Sequence, residues 1–128
     1  MSKIIINTEK APAAIGPYSQ AVQINGMLYT SGMIAIDPIT SILSTGDIEE
    51  QTRLVMENLT ALIGSTGATM EDVVKTSVFL NDMNNFAKMN AIYAEYFPSN
   101  PPARSTVEVA RLPKDVLVEV ECIVFIKE

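Results

Sequence analysis

Val116-Leu117-Val118-Glu119-Val120-Glu121-Cys122-Ile123-Val124-Phe125-Ile126-Lys127 is the stretch that decides the fold. It is dense in β-branched residues and follows the turn-like Leu112–Asp115, so it reads as a long strand from Val116 to Lys127. Side chains alternate across a strand. Val116, Val118, Val120, Cys122, Val124 and Ile126 therefore point one way and form a buried face. Leu117, Glu119, Glu121, Ile123, Phe125 and Lys127 point the other way, which sets two carboxylates among leucine, isoleucine and phenylalanine. A strand this apolar on both faces needs cover on both. A helix layer supplies one cover, and a second subunit is favoured over water for the other.

The segments upstream supply the rest of the sheet and its helices. Lys3–Asn7 reads as an edge strand, and Ala11–Pro17, with two prolines and a glycine, as a loop. Gln20–Ile24 and Met27–Ser31 flank Asn25-Gly26, the dipeptide of a tight hairpin. A further short strand is expected to reach Ile36, followed by a loop over Asp37–Gly46. Asp47 and Glu50 resemble a capping pair. Ile48, Thr52, Val55, Leu59, Leu62 and Ile63 then fall on one face of a helix that stops at Gly64 or Gly67. Val73–Leu80 is a strand. Asn81 or Asp82 caps a second helix running to about Phe97, with Phe86, Met89 or Asn90, Tyr93 and Phe97 on a shared face, and Pro98 ends it. Pro101-Pro102 then delivers an extended strand over Arg104–Ala110. The order predicts a single domain over residues 1–128, a mixed α/β sandwich with two helices on one sheet face.

Composition narrows the chemistry. The 128 residues carry nine Lys and Arg against fifteen Asp and Glu, a net charge of −6, with no basic cluster. A polyanion is gripped through many cations, so nucleic acid is a poor default partner. A single arginine can still hold one carboxylate. Histidine is absent, which removes Ser-His-Asp and Cys-His nucleophile systems and the commonest zinc ligand. Neither a metal-ligand cluster nor a phosphate loop stands in the sequence, and no cofactor is expected. One cysteine, no signal peptide and no apolar run of spanning length lead to the expectation of a cytoplasmic protein with no membrane partner.

Two residues stand out. Glu119 has two readings: an acid on a half-solvated face, or a carboxyl in a partly apolar cleft at an interface, where desolvation raises its pKa into a useful range. Arg104, delivered by the rigid Asn100-Pro101-Pro102-Ala103, is either a surface cation or a planar clamp for a carboxylate. Tyr18 at a loop end, Ser31 and Gly32 at a strand end, and Asn90 on the second helix each have a structural reading beside a functional one. Cys122 belongs to the valine face and reads as an inert core thiol.

Several segments together resemble one known family. They are Ala11-Pro12-Ala13-Ala14-Ile15-Gly16-Pro17-Tyr18-Ser19-Gln20-Ala21, Tyr29-Thr30-Ser31-Gly32, Val74–Leu80, and Pro102-Ala103-Arg104-Ser105-Thr106-Val107-Glu108-Val109-Ala110-Arg111-Leu112-Pro113-Lys114-Asp115 continuing through Glu119-Val120-Glu121. In order, and over essentially the whole chain, they resemble the RidA/YjgF family. The resemblance implies a chorismate-mutase-like α+β fold, a homotrimer with ligand clefts between subunits, and cofactor-free hydrolysis of 2-enamine and 2-imine acids to 2-keto acids and ammonia. It also implies that Arg104 binds the substrate carboxylate and that Glu119 activates water, while Tyr18, Ser31, Gly32 and Asn90 line the cleft. Thr106 stands where many members carry cysteine, which bears on the shape and substrate range of the cleft. Two other roles come with such a chain: a non-catalytic trimeric ligand sensor, and an endoribonuclease or translation inhibitor, against which the acidic charge and missing histidine count.

Overall fold

The computed structural model describes residues 2–127. Six strands and two helices succeed one another as β1 (Ile4–Ile6), β2 (Ala21–Ile24), β3 (Met27–Thr30), α1 (Ile48–Gly64), β4 (Val73–Leu80), α2 (Phe86–Glu95), β5 (Ala103–Glu108) and β6 (Val118–Phe125). They form one sheet in the order β1-β2-β3-β6-β4-β5. All neighbours are antiparallel except β4 and β5. Parallel neighbours need a crossover, and α2 provides it. The expected mixed sheet with two helices is thus the observed one.

The register of β6 fixes which side chains meet the helices. Val118, Val120, Cys122 and Val124 are buried. They are paired in β4 with residues that include Val78 and Thr76, which are buried too. Helix α1 covers this face with Val55, Met56, Leu59, Leu62 and Ile63, all fully buried. Each such aliphatic side chain contributes about 1.5–3 kcal/mol on leaving water. Asp47 caps α1 by accepting a hydrogen bond from the Glu50 amide at 2.9 Å. The reciprocal half of the expected capping pair is absent, because the Glu50 carboxylate accepts from Ser44 Oγ instead, at 3.2 Å.

The opposite face of the sheet is bare in the single chain. Ile5, Tyr29, Val107 and Phe125 are each about half exposed. Pairing places them on that face together with Glu119, Glu121, Ile123 and Phe79.

Several expected bounds shift. Residues 33–36 form no strand. Met33 makes an isolated bridge to Val120 and Ile36 another to Leu43, because the chain leaves β3 and crosses β6 at a single point. The last strand is shorter at both ends than Val116–Lys127, and β5 ends at Glu108 rather than Ala110. Asp82 caps a 3-10 turn, Met83–Asn85, that leads into α2, which stops at Glu95.

Candidate active site

Arg104 leaves β5 on the helix side of the sheet, level with Thr76 of β4. There it meets α2. Its Nη1 donates to Asn90 Oδ1 at 2.7 Å. The guanidinium carbon lies 4.8 Å from the Tyr93 ring centre and 5.5 Å from that of Phe86. Tyr93 is itself fixed by a 2.7 Å hydrogen bond between its hydroxyl and that of buried Thr76. Aromatic faces hold a cation without consuming its N–H donors. A guanidinium has five of these, and its one side-chain bond among the described residues goes to Asn90. The rest suit a planar carboxylate. Asn90 is therefore half-buried and engaged, not the bland exposed helical asparagine. Helical spacing of Phe86, Asn90 and Tyr93 pointed to a shared face; that the face holds Arg104 was not readable from it.

Thr106 follows two residues along on the same side, paired with Val78. Its hydroxyl is out of solvent and has no hydrogen-bond partner among the described residues.

Glu119 projects from β6 on the bare face and lines a cleft of about 490 Å³ with Tyr18, Ser31, Gly32, Ile15, Pro12 and Lys114. Loss of water around its carboxyl, helped by the nearby charge of Glu121, raises its pKa above the ordinary glutamate value. This favours a carboxyl in a partly apolar cleft over an acid on a half-solvated face. Gly32 makes the space. A methyl group built there would lie 2.5 Å from Glu119 Oε2 and 2.7 Å from the carboxyl carbon. The Ser31 hydroxyl donates to the Ser19 carbonyl at 2.6 Å, so toward the cleft it serves as an acceptor. Tyr18 is exposed, and its hydroxyl accepts only a long 3.4 Å bond from the Ile15 amide.

The expected residues fall into two groups. Tyr18, Ser31, Gly32 and Glu119 come together, and so do Asn90, Arg104 and Thr106. The two groups do not meet within one chain. Arg104 and Glu119 are on opposite faces of the sheet, with β4 between their strands. The resemblance implies clefts between subunits, and a groove holding both side chains would need a second chain. Parity within each strand was legible, but the register between β5 and β6, which sets the relative side, was not.

Cys122 is buried, and burial pushes its thiol up to about 12. It is inert as a nucleophile. Among the described residues no three His, Cys, Asp or Glu side chains are grouped to hold a metal ion. No described helix is long and apolar enough to cross a membrane.

The sequence and the fold have close counterparts among known proteins. A family model described as Endoribonuclease L-PSP matches residues 8–126. A RutC family protein of Pyrococcus abyssi is 53% identical over 98% of this chain and 98% of its own. A Salmonella typhimurium protein named 2-iminobutanoate/2-iminopropanoate deaminase is 49% identical, over 96% of this chain and 97% of its own. The crystal structure of the YjgF gene product from E. coli superposes with a TM-score of 0.92 at 45% identity, covering 97% and 99% of the two chains.

Proposed function

Since the chain belongs to the RidA/YjgF family, whose model bears the L-PSP description, we propose that it is a hydrolytic deaminase of 2-enamine and 2-imine acids, acting in clefts shared between copies of the chain in a homotrimer. The observation that carries the reading is how the two groups are divided. Arg104 stands on the edge strand β5 with most of its donors unspent. Glu119 stands in an open cleft on an uncovered apolar face. Each supplies what the other lacks, and burying Tyr29, Val107 and Phe125 of that face against a neighbour is the favourable term that brings chains together.

The chemistry follows from the two groups. The enamine takes a proton at carbon and becomes the imine. Arg104 of one chain holds the substrate carboxylate in two parallel bonds, which fixes the imine carbon toward the Glu119 cleft of the next. Glu119 removes a proton from water as the oxygen adds to that carbon. It returns that proton to nitrogen, then takes the proton of the adduct's hydroxyl and passes it to the same nitrogen as the C–N bond breaks, so that ammonia leaves and the 2-keto acid forms. A carboxyl whose pKa is raised is suited to both transfers. The chain needs no cofactor for these steps. The Salmonella relative's name supports the substrate class. The endoribonuclease description is not carried to this chain, because nine cations dispersed along the sequence against fifteen acids count against gripping a phosphate backbone.

The test is release of ammonia and 2-keto acid from imines generated in place by a pyridoxal-phosphate dehydratase. Wild type is expected to accelerate release, and Arg104→Ala to lose at least about a hundredfold while its circular dichroism is unchanged. Equal activity of Arg104→Ala and wild type would contradict the clamp. Binding of 2-ketobutyrate without acceleration would convert the reading to a ligand sensor.

A further inference from the structure

The Glu119 cleft has one wall that belongs neither to the sheet nor to a helix. It is the loop Thr8–Tyr18, which contributes Pro12, Ala13, Ile15 and Tyr18 to the lining. Pro12 and Pro17 have no N–H to offer, and the loop's other bonds are largely internal. Lys10 N donates to Thr8 Oγ1, Tyr18 N to the Gly16 carbonyl, and Ile15 N to the Tyr18 hydroxyl. Such a loop needs fastening if its side chains are to hold a fixed place.

The fastening is Gln20, 5% exposed, which itself borders the cleft beside the loop. Its Oε1 accepts from the Thr8 amide at 2.7 Å. Its Nε2 faces three carbonyls: Pro12 at 2.8 Å, Thr8 at 3.0 Å and Ala11 at 3.3 Å. Among the described residues, every hydrogen bond from Thr8–Tyr18 to the rest of the chain runs through this one amide. Ala11, 2% exposed, adds a packed methyl group. The root of the latch is equally placed. The Gln20 carbonyl accepts from Ser31 N at 2.9 Å, and the preceding Ser19 carbonyl accepts from Ser31 Oγ. Gln20 thus ties the loop to the Ser31-Gly32 strand end against which Glu119 lies.

We propose that Gln20 is a positioning residue: its side-chain amide latches the Thr8–Tyr18 loop and thereby holds Tyr18 and the apolar wall in place over the Glu119 carboxyl. A primary amide offers an acceptor and two donors. Glutamate at neutral pH offers only acceptors, and would set a negative charge against three carbonyls. Methionine fills the space and offers no donor and only a weak acceptor.

The kinetic arm rests on the deaminase reading, whereas the exchange arm does not. In Gln20→Met, hydrogen exchange at amides 8–18 is expected to quicken about tenfold, while β4 and β6 amides keep their rates, since one net hydrogen bond corresponds to about that factor. In the dehydratase-coupled assay KM is expected to rise about tenfold with kcat within about twofold, a split that general loss of folded protein does not give. Gln20→Glu is expected to be worse than Gln20→Met at pH 7, and to recover relative to wild type as pH falls and the carboxyl becomes a donor. Should Gln20→Met fail to fold, Gln20→Asn keeps the amide but falls one methylene short, and the same exchange and KM changes are expected. Unchanged exchange over 8–18, or faster exchange with unchanged KM, overturns the proposal. A wild-type protein inactive toward imines overturns the deaminase reading instead, and the exchange arm alone then decides the latch.

Discussion

Glu119 is destabilising in its ionised form, and the sign of that effect can be measured. Burial raises its pKa in the folded chain, so the folded state binds its proton more tightly than the unfolded state does. Stability contributed by the proton is present below the unfolded glutamate pKa and is lost as pH rises through the raised folded value. Glu119→Gln, neutral at every pH, is therefore expected to melt slightly higher than wild type at pH 7. The difference should close below the ordinary glutamate range, and turnover should fall by about a hundredfold or more with loss of the general base. A lower melting temperature at pH 7 would contradict this account of the carboxyl. Gly32→Ala probes the same atoms from the other side. The added methyl meets the flexible end of Glu119 rather than backbone, so the carboxyl moves and the fold does not. Its kcat is expected to drop by about tenfold or more, consistent with the sensitivity of reaction to small misplacements, with a melting temperature close to wild type. Parallel losses of stability and rate would contradict it.

At the scale of elements, the well-read segments are those where one local rule settles the outcome. Asn25 and Gly26 both take left-handed backbone, with φ of 52° and 75°, as the two-residue hairpin between β2 and β3 requires. The apolar stripe of α1 buries the six residues its spacing selected. Asp47 contributes in a separable way: Asp47→Ala is expected to cost about 1 kcal/mol in denaturant unfolding, the usual value of an N-cap, without altering kinetics. No change in stability would show the cap to be idle. Less was legible where distant segments decide. Met33 is held by a pair of backbone bonds to Val120, at 2.8 and 3.1 Å, and by no continuing ladder. Lys114, at the rim of the cleft, and Asp115 after it take φ of 55° and 57°. Neither type demands that conformation, so composition gave no warning, and the Arg111–Asp115 ion pair across this turn is visible only once folded. The amide of Gln20 stands inside a motif already noticed, yet its partners lie eight to twelve residues earlier, beyond any periodicity.

For the whole molecule, the alternation of β6 foretold both a valine face under helices and an opposite face seeking cover. It could not foretell that Arg104 shares the helix side while Glu119 shares the bare side, because that depends on the parallel pairing of Thr76 with Arg104 and the antiparallel pairing of Phe79 with Glu119. The consequence is that one chain holds the two groups on opposite faces of its sheet. Under the proposed reading, an assembly that sets the Arg104 edge of one copy against the Glu119 cleft of the next would make whole sites from them. The most direct measurement is complementation between Arg104→Ala and Glu119→Ala, each inactive alone, coexpressed in equal amounts. If each cleft draws its arginine from one chain and its glutamate from another, random mixing in a closed ring leaves about a quarter of the clefts intact. About a quarter of wild-type deaminase activity is then expected to return. Mixed assemblies as inactive as either parent would contradict the shared site.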